Sequence, residues 1–319
     1  MAGKLLALAL PMAVVNFTSQ IMIITELAVI GHACGVHALA AVSVSRIVIN
    51  ILQEPACFIV TNAATTLCAD AQHNKTFVAS TFAHATLVFG LLLTVPIGGL
   101  LLAVPSLLSL LALPSEIIAE AAAYTPACAI SVFPALIHSS AVGFLRAQQK
   151  LPSTSIMCCL TALLNAALMI AFVPAHGVAG AALCTGAMRC FSIGSLASRH
   201  WSSFSEFGRC RLDFGGSKED IRASVRSFVQ LYRASLLPAT LRLAVSQLLP
   251  VIALLQGCGG SVVAAIALAM VLLQLCSAGS TGIQQAHART ALHASARKMH
   301  AMAPTSHRFC VCYLIWLVY

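Results

Sequence analysis

The sequence predicts an all-α fold, a polytopic bundle of transmembrane helices. Three observations predict it. Of the 319 residues, 59% are hydrophobic and only 8% are charged, against about 25% charged in soluble domains. Apolar runs of bilayer length recur along the chain, where one crossing needs roughly 20 mostly apolar residues. Basic residues collect in alternate connections between those runs, as cytoplasmic loops do. Mean hydropathy is +0.92, so a chain of this kind belongs in lipid.

The first run, 5–30, carries one acid, Glu26, with Pro11 fifteen residues before it. A carboxyl group inside a span is costly and marks a candidate functional site. Lys4 followed by an apolar core imitates a signal peptide. The run continues past Asn16 to Ile30 without a convincing cleavage site, so it reads as an uncleaved first span. Further spans follow at about 39–66, 77–104, 121–145, 154–174, 177–197, 235–256 and 261–283. A last apolar run, 309–319, is too short to cross.

The loops set the orientation. Lys75 lies between spans two and three, and Arg146 and Lys150 between four and five. Arg199, Arg209, Arg211, Lys218, Arg222, Arg226 and Arg233 lie between six and seven, and Arg289, Arg297, Lys298 and Arg308 follow span eight. The connections at 31–38, 105–120, 174–177 and 257–260 contain no Lys or Arg. This alternation places the N-terminus and residues 198–234 on the cytoplasmic side. Within 198–234, Ser217 to Asp220 reads as a variant capping box. Phe228 and Leu231 then oppose Arg222, Arg226 and Arg233, which predicts an amphipathic helix on the membrane surface.

The net charge of +9 sits between apolar runs, which points to anionic lipid headgroups and not to nucleic acid. The thirteen cysteines are scattered and form no CxxC pair; they read as small buried residues without a disulfide framework. His287, His293, His300 and His307 recur at near-helical spacing, but among Arg and Lys they suit a basic surface helix better than a metal site. No metalloprotease, nucleotide-loop or zinc-finger spacing is visible, so no enzyme, cofactor or metal is expected.

Polar residues inside the spans are the candidate machinery. Asn16, Ser19 and Gln20 form a polar stripe with Glu26 in span one. Span two holds Arg46, Asn50, Gln53, Glu54 and Pro55. Arg46, Asn50 and Glu54 are successively four apart, so a relay along one helix face is a candidate, with Glu54 as a second titrating acid. Arg189 in span six and Arg242 in span seven are intramembrane cations and candidate cavity residues. Arg189 either pairs with Glu26 or Glu54 or snorkels. Pro11 removes a helix hydrogen bond and allows span one to bend.

The chain also repeats itself. LPMAVVNFTSQ at 10–20 is echoed by LPATLRLAVSQ at 237–247, and each is followed by a glycine turn and an Ala-rich opening. Span seven therefore repeats span one, and transporters are often built from such repeats.

These residues resemble the multidrug and toxic compound extrusion (MATE) family, in particular its DinF-type branch. The resemblance rests on Leu10-Pro11 and Glu26 to Gly31 in the first span, Ala38 to Val42 opening the second, and Gly143 to Ala147 ending the fourth. It continues in Leu164-Asn165, Gly177 to Ala182 and Leu237 to Arg242, and covers residues 5–285. It implies a MATE-type N-lobe of six helices over 1–197 and an inter-lobe loop over 198–234. A partial C-lobe over 235–286 and a basic segment with a short apolar tail over 287–319 complete the division. It further implies export of an organic, amphipathic or cationic compound in exchange for H+ or Na+, by a monomer in the plasma membrane or the plastid envelope. Glu26 is then the exchangeable-proton site, with Asn165 as its hydrogen-bonding partner. Two departures stand out. Glu26 replaces the family's Asp, and Met169 replaces its second acid. The chain also ends after about eight of the family's twelve spans, so a truncated, non-transporting membrane fragment is the alternative. A flippase for lipid-linked substrates is another.

Overall fold

The computed structural model describes residues 2–74, 79–111, 113–148 and 150–200, with scattered helical positions between 226 and 275. The described residues form helices joined by short turns: α1 (Ala2–Ala33), α2 (Val36–Asn74), α3 (Ala79–Leu102), α4 (Val104–Leu110), α5 (Ser115–Ala147) and α6 (Leu151–Arg199). Five of them are long and apolar enough to cross a membrane. Length explains this: in lipid a chain must satisfy its backbone polar groups internally, which an uninterrupted helix does.

α1 and α2 form a hairpin around Gly35, whose φ of 90° suits a residue without Cβ. The expected loop at 105–120 contains a helix, α4, with a proline in its first turn, where the missing N–H costs nothing. At the same end, exposed His37 and Glu116 approach to 3.8 Å.

α6 carries two of the expected spans. A straight helix of its 49 residues would run about 74 Å, more than twice the hydrocarbon thickness. Gly177, at φ 61° and ψ −152°, interrupts it in a region of backbone space open essentially to glycine alone. The contacts show a reversal there. Ser155 donates to the carbonyl of Pro11 at 2.9 Å and Cys159 meets Thr18 at 3.6 Å, so the first arm rises alongside α1. Gly186 lies against Ser131, and His138 meets Ser192 at 3.1 Å, so the second arm descends alongside α5. The turn is tight: a Cβ at Gly180 would stand 2.8 Å from that of His176.

α2 and α5 are the inner helices. Their close approach is made at Gly143, where a Cβ would fall 2.6 Å from the carbonyl oxygen of Thr61. Thr61 and Thr65 each donate across this contact, to the carbonyls of Ser139 and Gly143, both at 3.2 Å. Small residues bringing backbones together, with hydroxyls bonding across, are how helices associate in lipid. The apolar core gathers Ala38, Val42, Ile59, Leu101, Leu136 and Val173 around these helices. Large apolar side chains on α3 and α6, such as Leu92, Val95, Leu163 and Ile170, are exposed and suit contact with lipid tails.

Most of the chain after residue 200 lies outside the described residues. That includes Phe228 and Leu231 of the expected amphipathic helix, Arg242, all of the 237–247 repeat but Leu241, and the histidines from His287 on. Of that helix, Arg226 and Arg233 are exposed and Tyr232 is buried. Tyr232 packs edge-on to Phe89 of α3, with ring centroids 4.8 Å apart.

Candidate functional site

Glu26 is the organising residue of the site. It lies within the unbroken last turns of α1 and is 1% exposed. Two donors from different helices hold its carboxylate. Arg46 of α2 bonds Oε2 through Nη2. Tyr124 of α5 donates its hydroxyl to Oε1 at 2.7 Å. The hairpin at Gly35 makes the first contact, because it folds the start of α2 back onto the end of α1. The second follows because α5 enters from the same side of the bundle as α2.

A buried ion pair survives in an apolar medium only when its remaining polar atoms are also engaged. Here one carboxylate takes both donors, while the Nε of Arg46 is buried without a partner among the described residues. Glu26 also opens on a small cavity of ≈ 30 Å³, lined further by Gln53, Tyr124, Ser131, Thr185 and Arg189. Four helices meet there: α1, α2, α5 and the second arm of α6. The arrangement can hold a negative charge in the membrane interior and can respond to a proton placed on it.

The other expected site residues divide into those at this cavity and those away from it. Arg189 lines it. Arg46 is directed to α1 and not along its own helix, and no hydrogen bond joins Asn50 to Arg46 or Glu54 among the described residues. Half-buried Glu54 stands outside the cavity lining. Asn165 is fully buried on the first arm of α6 and donates through Nδ2 to the sulfur of Met169 at 3.6 Å. The two bonds to Glu26 thus come from Arg46 and Tyr124, and Asn165 makes neither. The Oδ1 of Asn165, the Nδ2 of Asn16 and the Oε1 of Gln20 are buried without protein partners among the described residues. Pro11 is half-buried, and its carbonyl is the acceptor that ties α1 to Ser155.

Sequence reasoning missed Tyr124. The chain has only four tyrosines, and one in the middle of an apolar span needs a partner for its hydroxyl; that signal was available. Ser131 and Thr185 carried no comparable signal, since hydroxyls in spans commonly bond back to their own helix. Ser131 indeed donates to the carbonyl of Cys128 at 2.8 Å.

Comparison with known proteins bears on the same residues. Solved structures share the fold. A MATE protein in complex with MaD3S aligns with a TM-score of 0.67 at 19% identity, over 89% of this chain and 65% of that one. The eukaryotic MATE transporter AtDTX14 aligns with a TM-score of 0.67 at 19% identity, over 89% of this chain and 64% of that one. A MOP superfamily transporter from Pyrococcus furiosus aligns with a TM-score of 0.60 at 18% identity, over 88% and 65%. The chain thus spans a little under two thirds of the length of these solved chains. Among curated proteins, none matches it. The MatE family model matches residues 11–183, more than half of the chain and every residue that forms the Glu26 site except Thr185 and Arg189. The chain belongs to the MatE family.

Proposed function

We propose that this chain works as a secondary transporter. It exports an organic compound, amphipathic or cationic, in exchange for H+ or Na+, and Glu26 carries the coupling charge. The observation that supports this most is the placement of one buried carboxylate, held by Arg46 and Tyr124, at a cavity where four helices meet. Intramembrane carboxylates so placed are typical of ion-coupled carriers. Membership of a family of transporters, none of them enzymes by kind, supports the same reading.

The chemistry follows from the pair. While Glu26 is ionised, Arg46 ties α2 to α1. A proton on Glu26 cancels its charge and leaves the guanidinium without its counter-ion in an apolar setting, a state of high energy. Relief comes from moving α1 relative to α2. Pro11 supplies the bending point, and Asn50, one turn from Arg46, supplies an alternative partner. In this scheme proton uptake and substrate release become alternatives of one conformational change. Residues 1–197 act as the N-lobe, 198–234 as the connection, and 235–286 begin a second lobe.

The reading is tested by efflux of a fluorescent amphipathic dye from vesicles under an imposed pH gradient and, separately, an imposed sodium gradient. Gradient-driven efflux is expected from the wild type and not from Glu26→Gln. Wild-type protein that inserts correctly and moves no dye would sink the reading and favour a non-transporting fragment.

A further inference from the structure

The exporter reading leaves the ion open between H+ and Na+. We propose that Arg46 closes Glu26 to Na+, so that the proton is the ion this site accepts. The inference rests on that reading for its physiological meaning, but the ion choice is a property of the site alone.

Three observations carry it. Both carboxylate oxygens of Glu26 are occupied by donors, Oε2 by Arg46 and Oε1 by the Tyr124 hydroxyl. A metal cation is left with the remaining lone pairs of each oxygen, beside a guanidinium already in place. Second, Arg46 is itself a monovalent cation fixed against the carboxylate. It competes as a tethered group, held in place by α2, against an ion that must come from solution. It also repels a second cation at contact distance. Third, Na+ sites in membrane carriers draw on carbonyls freed by unwound helix. α1 is unbroken around Glu26, as is α2 around Arg46, so those carbonyls stay in their helical ladders.

The remaining groups facing Glu26 do not change this. They are Cys128, Cys184 and Arg189, with Gln53, Ser131 and Thr185, whose neutral oxygens bring no negative charge to offset Arg46. Arg189 adds a second positive charge to the cavity wall and no acid joins Glu26 there among the described residues. A proton needs no shell of oxygen ligands and brings no second cation to be held beside Arg46. It binds one carboxylate oxygen directly and can displace the guanidinium by removing the charge that holds it. Arg46 is therefore a specificity residue acting through Glu26.

The test is binding of radioactive sodium to the purified full chain, which requires no transport. Wild type should bind no sodium that Glu26→Gln abolishes. Arg46→Gln should gain saturable binding, about tenfold or more above wild type at low millimolar sodium, and Arg46→Gln/Glu26→Gln should lose it. Arg46→Lys, which restores the charge, should again exclude sodium, an outcome that general loosening of the fold would not give. Glu26-dependent sodium binding by the wild type overturns the proposal without any Arg46 variant. Folded Arg46→Gln that gains none overturns the assignment to Arg46. Loss of dye efflux would leave both results standing, so failure of the exporter reading and failure of the ion choice are separate.

Discussion

At the residue level, the two donors on one carboxylate decide how the Glu26 site behaves. Tyr124 is 2% exposed and its hydroxyl has Glu26 as acceptor. Tyr124→Phe removes the donor and keeps the ring, leaving Oε1 of Glu26 buried and unsatisfied. The expected cost is about 1–3 kcal/mol, read as a lowered thermal midpoint of the solubilised protein. In a Glu26→Gln background the same substitution should cost less, because the charge that makes the bond strong is gone. Equal costs in both backgrounds would mean the hydroxyl does not serve Glu26. Glu26 itself was legible in the sequence as the only acid of an apolar run. Its partners were less so. Arg46, Asn50 and Glu54 share a helix face, which suggested a relay along α2, but the hairpin at Gly35 brings α1 within reach of Arg46. A contact between helices depends on how they are rotated, which spacing along one helix does not report.

At the scale of the element, the contact between α2 and α5 is the one with least room. A Cβ at Gly143 would meet the Thr61 carbonyl oxygen at 2.6 Å and the Ala64 Cβ at 2.7 Å. Both belong to the facing helix and neither can rotate away. Gly143→Ala should therefore push the helices apart and destabilise by about 1–3 kcal/mol, measured by thermal or denaturant unfolding. Gly99 of α3 has nothing within 4 Å of its added Cβ, so Gly99→Ala is the control, neutral or slightly stabilising. The number of crossings up to residue 200 was legible because each apolar run is longer than the bilayer is thick. The turn between the fifth and sixth was placed correctly at 174–177, where Pro174, His176 and Gly177 stand together. α4 was not legible: seven residues, VPSLLSL, are too few for a periodic signal to emerge from an apolar background.

At the scale of the whole molecule, the helices must alternate across the membrane. The turns around Gly35, between α4 and α5, and at Gly177 lie at one end. The ends of α2, α5 and the second arm of α6 lie at the other, where Arg146, Lys150 and Arg199 are found. The bundle and the distribution of basic residues therefore agree on topology. An epitope inserted between α4 and α5 should be reached by antibody only from outside intact cells, and one inserted after His200 only after permeabilisation. The reverse pattern would invert the direction of the proposed exchange. The organisation of the chain beyond residue 200 was proposed from its repeat with span one, and it lies mostly outside the described residues.

In the proposed function Glu26 couples an ion gradient to movement of an organic compound. The most direct measurement uses proteoliposomes of one lipid composition, loaded with an amphipathic dye, holding either wild type or Glu26→Gln inserted to the same extent. With protons supplied on the side opposite the dye, wild type should release dye at a rate that follows the pH difference and vanishes when a protonophore collapses it. Glu26→Gln should show only leak. Release by Glu26→Gln at the wild-type rate, still sensitive to the protonophore, would place coupling on another residue and overturn the role given to Glu26.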